Sequence, residues 1–312
     1  MPLLYYDPRF LEHGVADHPE RPRRLSHLIA HLEQTGLAEQ CHRPTWQPAS
    51  LDRLARVHDR AYLAAIEALA NRGGGQADPD TIVTAKSFDV ARLAAGAVCD
   101  AVERVVAGED LVALCLVRPP GHHALADRAM GFCLVSNVAI AARLAVDELG
   151  LDRVLIVDWD VHHGNGTQDI LYADPRIGFF SIHRSPFYPG TGAADETGRG
   201  EGLGMTLNLP VAFGTSRDRY LASFRSELEK FADHVRPQLI LISAGFDSHR
   251  EDPIGSLGLE TEDFQTLTAI VQDIAATHAG GRIVSVLEGG YHPQRLAESV
   301  QAHLAELAAS GQ

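Results

Sequence analysis

Two carboxylates and an imidazole occupy alternate positions in the segment that runs from Asp158 to His162. In an extended segment Asp158, Asp160 and His162 point to the same side, whereas His163 points to the other. Side chains of these types on one face are suited to bind a divalent metal ion. A helix N-terminus capped by Asp160 or Asn165 is the ordinary alternative for a lone Asp-x-His.

Asp247 favours the metal site over the helix cap. It follows the buried apolar run Leu239–Ile242, where an unpaired charge is costly unless a cation compensates it. Asp160, His162 and Asp247 therefore supply three ligands and leave a position open, as catalytic metal sites do. Nitrogen and oxygen ligands suit zinc, ferrous iron, cobalt or manganese, and the spacing does not choose among them.

The tandem pair His122-His123, after a Pro-Pro-Gly turn, predicts a proton-transfer pair beside the metal. Asp158 and Asn165 are candidate partners that would fix the tautomers of these rings. Tyr291 follows two glycines, and its hydroxyl could donate to a developing oxyanion opposite the metal. A packed tyrosine at a strand-to-helix turn is the plainer interpretation.

The elements that must position these residues are predicted from apolar runs of strand length. The runs are continuous rather than alternating, which is typical of strands buried on both faces of a parallel sheet. They are Leu3–Tyr6, Leu111–Val117, Val154–Val157, Ile177–Ile182, Met205–Leu209, Leu239–Ile242 and Ile283–Leu287. Five of them are followed by polar motifs, including His183 after Ile182, so these motifs should meet at one edge of the sheet.

Helical patterns lie between the strands, with apolar residues three and four positions apart. They are Phe88–Val106, Cys133–Leu149, Ser216–His234, Glu262–His278 and Pro293–Ala309. We therefore predict an α/β fold, a single domain over residues 1–312 with a mostly parallel central β-sheet flanked by helices.

Composition excludes several classes of protein. Of the 312 residues, 45% are hydrophobic and 22% charged, with a net charge of −14 and a mean hydropathy of −0.07. An acidic chain disfavours direct binding of nucleic acid. No apolar stretch reaches the ~20 residues of a membrane span, and the N-terminus does not resemble a secretory signal, so we expect a cytoplasmic protein that binds no membrane. Four cysteines without CxxC spacing form neither a zinc knuckle nor a disulfide framework.

Four motifs in this order resemble those of the zinc-dependent histone deacetylases, in particular the class II branch and the bacterial histone-deacetylase-like amidohydrolases. The motifs are Arg118-Pro-Pro-Gly-His-His-Ala, Asp158-Trp-Asp-Val-His-His-Gly-Asn-Gly, Ser243-Ala-Gly-Phe-Asp and Glu288-Gly-Gly-Tyr. His18-Pro-Glu-Arg-Pro and Tyr188-Pro-Gly-Thr-Gly also match, so the resemblance extends from about His18 to Tyr291. It implies the fold shared by arginase and the deacetylases.

The resemblance implies a zinc-dependent amidohydrolase that removes acetyl or other acyl groups from the ε-amine of lysine with metal-activated water. Asp160, His162 and Asp247 would hold one catalytic zinc ion, with ferrous iron or cobalt as alternatives. His122 and His123 would take a proton from the water and give one to the leaving amine, and the Tyr291 hydroxyl would bind the substrate carbonyl.

By the same resemblance, Asp80 would hold the substrate backbone at the rim, and Phe132 and Tyr188 would form the walls of the acyl-lysine tunnel. For Phe132, an ordinary core aromatic is the alternative. A structural potassium ion would bind the backbone oxygens of four residues and the side chain of one. These are the oxygens of Asp158, Asp160, His162 and Ile182 and the Ser181 hydroxyl. Asn165, where class I members usually carry Asp, fits class II.

Three alternatives compete with lysine deacylation. A dinuclear manganese ureohydrolase needs Asp-x-His-x-Asp, but Gly164 follows His162-His163 here. A non-catalytic acyl-lysine-binding or acetoin-pathway protein would be expected to have lost Tyr291 or a ligand. A deacetylase of acetylated polyamines or other small amides would carry an acidic gatekeeper where Ile254 follows Asp252-Pro253. The expected partner is an acetylated lysine peptide or protein, or a small acetylated amine, and homo-oligomerisation is left open.

Overall fold

The central element of the chain is a parallel sheet. The computed structural model describes residues 1–309, and in that part a seven-stranded sheet has the order β1-β4-β9-β8-β5-β6-β7. All of its neighbouring strands are parallel. The strands are β1 (Leu3–Tyr5), β4 (Val112–Cys115), β5 (Val154–Asp158), β6 (Ile177–Arg184), β7 (Thr206–Val211), β8 (Leu239–Ala244) and β9 (Ile283–Leu287). The predicted fold class is therefore confirmed, and each predicted strand is present.

Helices cover both faces of this sheet. They are α1 (Arg23–Gln34), α2 (Leu51–Leu54), α3 (Arg60–Asn71), α4 (Ser87–Ala107), α5 (Asn137–Asp147), α6 (Asn165–Leu171), α7 (Arg217–Val235), α8 (Thr261–His278) and α9 (Pro293–Ala309). The helices α1, α9, α8 and α7 pack side by side in one group, and α4 and α5 pack together in another. Each of the five predicted helices is found, with ends that differ by up to four residues.

Burial on both sides explains why the strands have continuous apolar sequences. Every residue of β4, β5, β8 and β9 is buried, because helices pack on both faces of the sheet. Trp159, directly after β5, is fully buried and packs edge-on against Phe224 of α7 and His303 of α9. The chain is therefore held tightly at the point where the site begins.

The elements that were not predicted include the helices α1, α2 and α3 and a two-stranded hairpin. The helices α1 and α3 are amphipathic and bury one face each, and the stretch 71–79 contains a strand. That strand, β2 (Gly74–Asp78), pairs antiparallel with β3 (Thr81–Thr84) in a separate two-stranded sheet. Its turn carries Asp80, so this small hairpin matters for the rim of the site.

The register of the sheet brings the ends of the functional strands level. Asp158 at the end of β5 lies opposite Ser243 of β8, and Ser243 lies opposite Val286 of β9. The same Val286 is paired with Cys115 at the end of β4. The loops after these four strands therefore emerge side by side at one edge.

Among residues 1–309, no helix is both long enough and apolar enough to cross a membrane. The four cysteines, Cys41, Cys99, Cys115 and Cys133, are buried and unpaired.

Candidate metal and catalytic site

Three predicted ligands meet at the edge of the sheet. One ligand atom from each of Asp160, His162 and Asp247 lies within 4.8 Å of the other two, and all three residues are buried. The Nδ1 atom of His162 is 3.0 Å from Asp160 Oδ1 and 3.1 Å from Asp247 Oδ2. Two carboxylates and an imidazole thus face a common centre.

The segment that carries the first two ligands does not continue the strand, because its backbone bends. Strand β5 ends at Asp158, and residues 160–162 form a bend. The amide of Asp160 donates to Asp158 Oδ1 at 3.1 Å, and the amide of His162 donates to Asp160 Oδ1 at 2.9 Å. The prediction of an extended segment is therefore wrong, because the aspartates hydrogen-bond to backbone amides two residues on. His163 does point away from the ligands, towards Thr191 and Gln168.

The environment of Asp247 fits a bound cation. Its Oδ1 atom accepts a hydrogen bond from Val161 N–H at 2.9 Å, whereas its buried Oδ2 atom receives no hydrogen bond from residues 1–309. Burial and the neighbouring Asp160 carboxylate raise the pKa of Asp247 to about 7. A divalent ion would remove this penalty, because it would neutralise two adjacent buried carboxylates.

Gly289 leaves room for these carboxylates. A Cβ atom at this position would lie 2.3 Å from Asp247 Oδ2 and 2.5 Å from Asp160 Oδ2. The Gly289 amide instead donates to Asp160 Oδ2 at 2.9 Å. The first glycine of Glu288-Gly-Gly-Tyr is thus required by close approach to the ligands.

The two histidines after β4 are held by the partners that the sequence predicts. His122 Nδ1 is 3.0 Å from Asp158 Oδ2, and His123 Nδ1 is 2.7 Å from Asn165 Oδ1. Because the Nδ1 atoms are engaged, the Nε2 atoms are the ones left for proton transfer. The two rings lie 4.0 Å apart, and His122 Nε2 is 3.9 Å from Asp160 Oδ1.

Their surroundings separate the two pKa values. Burial opposes the charge of His122, but the carboxylates of Asp158 and Asp160 outweigh it and raise the pKa to about 10. Burial, together with His122 and His162, lowers the pKa of His123 well below its usual value. Neighbouring groups whose pKa values are driven apart are suited to different roles in acid–base catalysis.

Tyr291 closes the site from the loop after β9. It is 7% exposed, and its ring packs edge-on against Phe132 with centroids 5.9 Å apart. The Arg24 guanidinium lies 4.8 Å from the centre of the Tyr291 ring and donates to the carbonyl oxygens of Gly290 and Glu288 at 2.6 Å each. Burial raises the pKa of the Tyr291 phenol well above its usual value, so the hydroxyl keeps its proton and can donate it.

The two aromatic residues predicted as tunnel walls contact the rings of other predicted site residues. Tyr188, 38% exposed, packs edge-on against His123 at a centroid distance of 5.3 Å. Phe132, at a φ of 69°, stands beside both Tyr291 and His18. The two aromatic rings therefore contact site residues from different loops, as walls of a narrow passage would.

Asp80 and Ile254 are the two residues predicted for the rim. Asp80 Oδ2 accepts a hydrogen bond from the Tyr188 hydroxyl at 3.2 Å, and its Oδ1 accepts one from the Gly131 amide at 3.1 Å. Ile254 is 37% exposed and offers no charge there. The hairpin turn, the Gly131 loop and the tyrosine wall are thus joined through one carboxylate.

His183 does not follow its strand, contrary to the prediction. Strand β6 continues to Arg184, so His183 lies inside it, where it contacts the Ser181 hydroxyl and the Gly192 carbonyl. Ser181 is paired with Asp158 in the register of β5 and β6. The residues predicted for the potassium site are therefore neighbours, although His183 adds nothing to the metal cluster.

Two contributors to the site were missed. Glu288 Oε2 accepts hydrogen bonds from the amides of Gly121 and His122 at 2.7 and 3.2 Å. Its position directly after a buried run is the same signal that identified Asp247. Phe187 stacks on the His162 ring, with centroids 5.2 Å apart and planes inclined by 17°. No periodicity or motif distinguishes Phe187 from an ordinary loop residue.

Comparison with known proteins agrees with this geometry. Residues 18–307 match the model of the histone deacetylase domain. A Pseudomonas aeruginosa protein named histone deacetylase-like amidohydrolase is 41% identical over 279 residues, which cover 89% of this chain and 73% of that protein. The human protein named polyamine deacetylase HDAC10 is 41% identical over 315 residues, which cover 96% of this chain and 46% of that protein.

A solved structure has the same fold. The crystal structure of the HDA15 HD domain superposes with a TM-score of 0.92 and 34% sequence identity. The match covers 99% of this chain and 92% of that one.

Proposed function

Because the chain belongs to the histone deacetylase family, whose members hydrolyse amides, we propose that it removes acetyl groups from the ε-amine of lysine with the help of one zinc ion. The observation that carries the proposal is the cluster of Asp160, His162 and Asp247, next to a histidine pair and a buried tyrosine. We propose that the chain acts as one catalytic domain.

Asp160, His162 and Asp247 would hold the zinc ion, and ferrous iron or cobalt suit the same nitrogen and oxygen ligands. Bound there, such an ion polarises an amide carbonyl and lowers the pKa of water from ~15.7 towards ~7. Structural potassium is proposed at the backbone oxygens of Asp158, Asp160, His162 and Ile182 and the Ser181 hydroxyl, and the pairing of Asp158 with Ser181 supports it.

The two histidines have different roles, and one of them carries both proton transfers. His123 is the ring with the low pKa, so it is neutral at pH 7 and its Nε2 accepts the proton of the attacking water. His122 keeps its proton because Asp158 supports the charged ring, and it stabilises negative charge as the intermediate forms. The protonated His123 then gives its proton to the leaving amine.

Tyr291, Phe132 and Tyr188 would bind the other parts of the substrate. The phenol hydroxyl of Tyr291 donates a hydrogen bond to the carbonyl oxygen, where charge develops. Phe132 and Tyr188 would enclose the neutral methylene chain of an acyl-lysine, since apolar rings favour such a chain over water. Asp80 would accept a hydrogen bond from the substrate backbone.

Acetylated polyamines are the second candidate substrates, and the similarity to the human polyamine deacetylase supports them. The apolar rim residue Ile254 favours lysine peptides, because it gives no anion to pair with a second cationic amine. The cytoplasmic location stays a prediction.

The test is deacylation by protein stripped with a chelator and then reconstituted with zinc. A fluorogenic acetyl-lysine peptide and N-acetylputrescine are assayed side by side. We expect zinc to restore cleavage of the peptide. Turnover of the polyamine alone would support zinc-dependent amide hydrolysis but would replace acetyl-lysine by acetylated polyamines as the substrate. Asp247→Ala should lose both zinc and activity, whereas Asp169→Ala, a control outside the ligand cluster, should keep them. Zinc bound without turnover of either amide would contradict the proposal.

A further inference from the structure

Asp252 joins the loop that carries Tyr291 to the loop at the rim. The side chain is buried, with the residue 7% exposed. Its Oδ2 atom accepts hydrogen bonds from the amides of Tyr291 and His292 at 2.6 and 3.3 Å. Its Oδ1 atom accepts hydrogen bonds from the amides of Ile254 and Gly255 at 2.9 and 3.0 Å.

These four donors are all backbone groups. Within residues 1–309, no arginine, lysine or histidine side chain forms an ion pair with Asp252. Hydrogen bonds from backbone amides to a carboxylate are short and strong, and they fix the backbone instead of a flexible side chain. The carboxylate is thus placed to set the path of two loops at once.

The Tyr291 loop needs such a restraint. Gly290 has a φ of 124°, so the residue before Tyr291 lies in a region open mainly to glycine, and glycine itself restrains the chain little. Arg24 holds the Gly290 carbonyl and Asp160 holds the Gly289 amide, but both contacts are made before Tyr291. Asp252 binds the amide of Tyr291 itself.

We infer that Asp252 is a positioning residue for the oxyanion step: it holds the backbone of Tyr291 so that the phenol hydroxyl points at the reacting carbonyl. The inference rests on the proposed function for its catalytic consequence. A hydrogen-bond donor contributes to catalysis through its placement, and a displacement of about 1 Å can cost on the order of a hundredfold in rate.

A double-mutant cycle tests this on the zinc-loaded protein. Tyr291→Phe should lower kcat about a hundredfold or more, as loss of one oxyanion donor does. Asp252→Ala should lower kcat at least tenfold, with KM changed less than about threefold and zinc content unchanged. If Asp252 acts through the Tyr291 hydroxyl, Asp252→Ala in the Tyr291→Phe background changes kcat less than about twofold.

Two further variants separate positioning from general damage. Asp252→Asn keeps one carbonyl oxygen, so it can satisfy one of the two pairs of amides, and we expect a kcat between those of Asp252→Ala and the wild type. Glu251→Gln removes a charge from the adjacent residue, whose partners are Arg250 and Arg295, and should keep the wild-type kcat. If Asp252→Ala does not fold, Asp252→Asn takes its place in the cycle.

Hydrogen exchange gives a readout that needs no turnover. The amides of Tyr291 and His292 should exchange at least tenfold faster in Asp252→Ala, while amides within β9 keep their protection. Wild-type kcat, additive losses in the cycle, or unchanged exchange at Tyr291 would each overturn the inference. If the wild type cleaves no acetylated amide, the proposed function fails and hydrogen exchange alone decides whether Asp252 holds Tyr291.

Discussion

Glu288 is hydrogen-bonded to Gly121: its Oε2 atom accepts the Gly121 amide at 2.7 Å, although the two residues lie on loops after different strands. The same oxygen accepts the His122 amide, and Oε1 accepts the Ser243 hydroxyl at 3.2 Å. One buried carboxylate therefore connects the loop that holds the proton-transfer pair to the loop that holds Tyr291.

Replacing Glu288 should show how much that connection stabilises the fold. Glu288→Ala leaves two buried backbone donors unpaired, at ~1–3 kcal/mol each, so we expect a loss of about 3 kcal/mol or more. Glu288→Gln keeps one oxygen for the two amides while the Ser243 hydroxyl turns to accept, and should cost less than about 1 kcal/mol by the same accounting. Urea unfolding measures both, and equal losses would contradict the assignment of the contacts.

Phe187 should affect metal retention through its stack on His162. Removing a group that orients a ligand typically lowers metal affinity ~10–100-fold, and we expect about tenfold for Phe187→Ala. Phe213→Ala is the matched control, since Phe213 packs on Arg184, as Phe187 does, but is 64% exposed. Competition with a chromogenic chelator gives the zinc affinities. Equal affinities for the two variants would mean that the stack does not orient His162.

Asp80 should distinguish peptides from small amides. A peptide offers backbone amides to the rim, whereas an acetylated diamine offers none, so Asp80→Ala should raise KM for the peptide about tenfold, the worth of one charge-assisted hydrogen bond. The KM for N-acetylputrescine should rise less, because that substrate feels only the loss of the contacts of Asp80 with Tyr188 and Gly131. Both KM values should stay unchanged in Asp127→Ala, since Asp127 is exposed and pairs with its neighbour Arg128. An equal rise in KM for both substrates would show that Asp80 does not act through the peptide backbone.

Zinc uptake should release protons. Burial opposes the charge of His162, but the neighbouring carboxylates of Asp160 and Asp247 raise its pKa to about 9, while the pKa of Asp247 is about 7. Metal ligands must be deprotonated, so at pH 7 binding should release roughly one to two protons. Calorimetry in buffers of different ionisation enthalpy counts them. Release below about half a proton would show that the ligands are already ionised without zinc.

The pair of arginines on Glu20 should make stability depend on pH. Burial works against the charge of Glu20, yet Arg118 and Arg24 hold its pKa well below the ordinary 4.5. A depressed pKa stabilises the fold above the unfolded value, and the contribution fades as the pH falls below about 5. Glu20→Gln should cost about 3–5 kcal/mol at pH 7, since it leaves buried arginine charge uncompensated.

The difference in the free energy of unfolding between the wild type and Glu20→Gln should therefore become smaller as the pH falls from 6 to 3. Thermal unfolding across that range is the measurement. A difference that stays constant would mean that Glu20 is not the group that titrates.

Strand positions and ligand identities could be predicted because both follow from burial. A strand covered on two faces must be apolar throughout, and a carboxylate placed directly after it needs a partner. Asp247 follows from that logic, and Glu288 could have been found in the same way. Asp160 and His162 follow from their alternate spacing, which indicates the right ligands although the segment is not extended. Helix α1 could also have been predicted, since Leu25, Leu28 and Leu32 have helical spacing.

Other contacts depend on the paths of loops, which sequence patterns do not specify. The stack of Phe187 on His162 follows from how the chain turns after β6. The bonds of Asp252 to backbone amides involve no side chain on the other partner. The backbone bends at residues 160–162 instead of staying extended, because hydrogen bonds from backbone amides to aspartate side chains compete with strand pairing.

The strand order also constrains how the chain acquires its site. Strand β4 lies between β1 and β9, so its second neighbour is the last strand along the chain. During synthesis at ~5–20 residues per second, the apolar edge of β4 waits on the order of ten seconds for that partner. The histidine pair after β4 is synthesised early and Asp247 and Tyr291 late, so in the nascent chain one edge of β4 lacks its partner while half of the site is still missing. The site therefore forms only after strands that are far apart along the chain have paired.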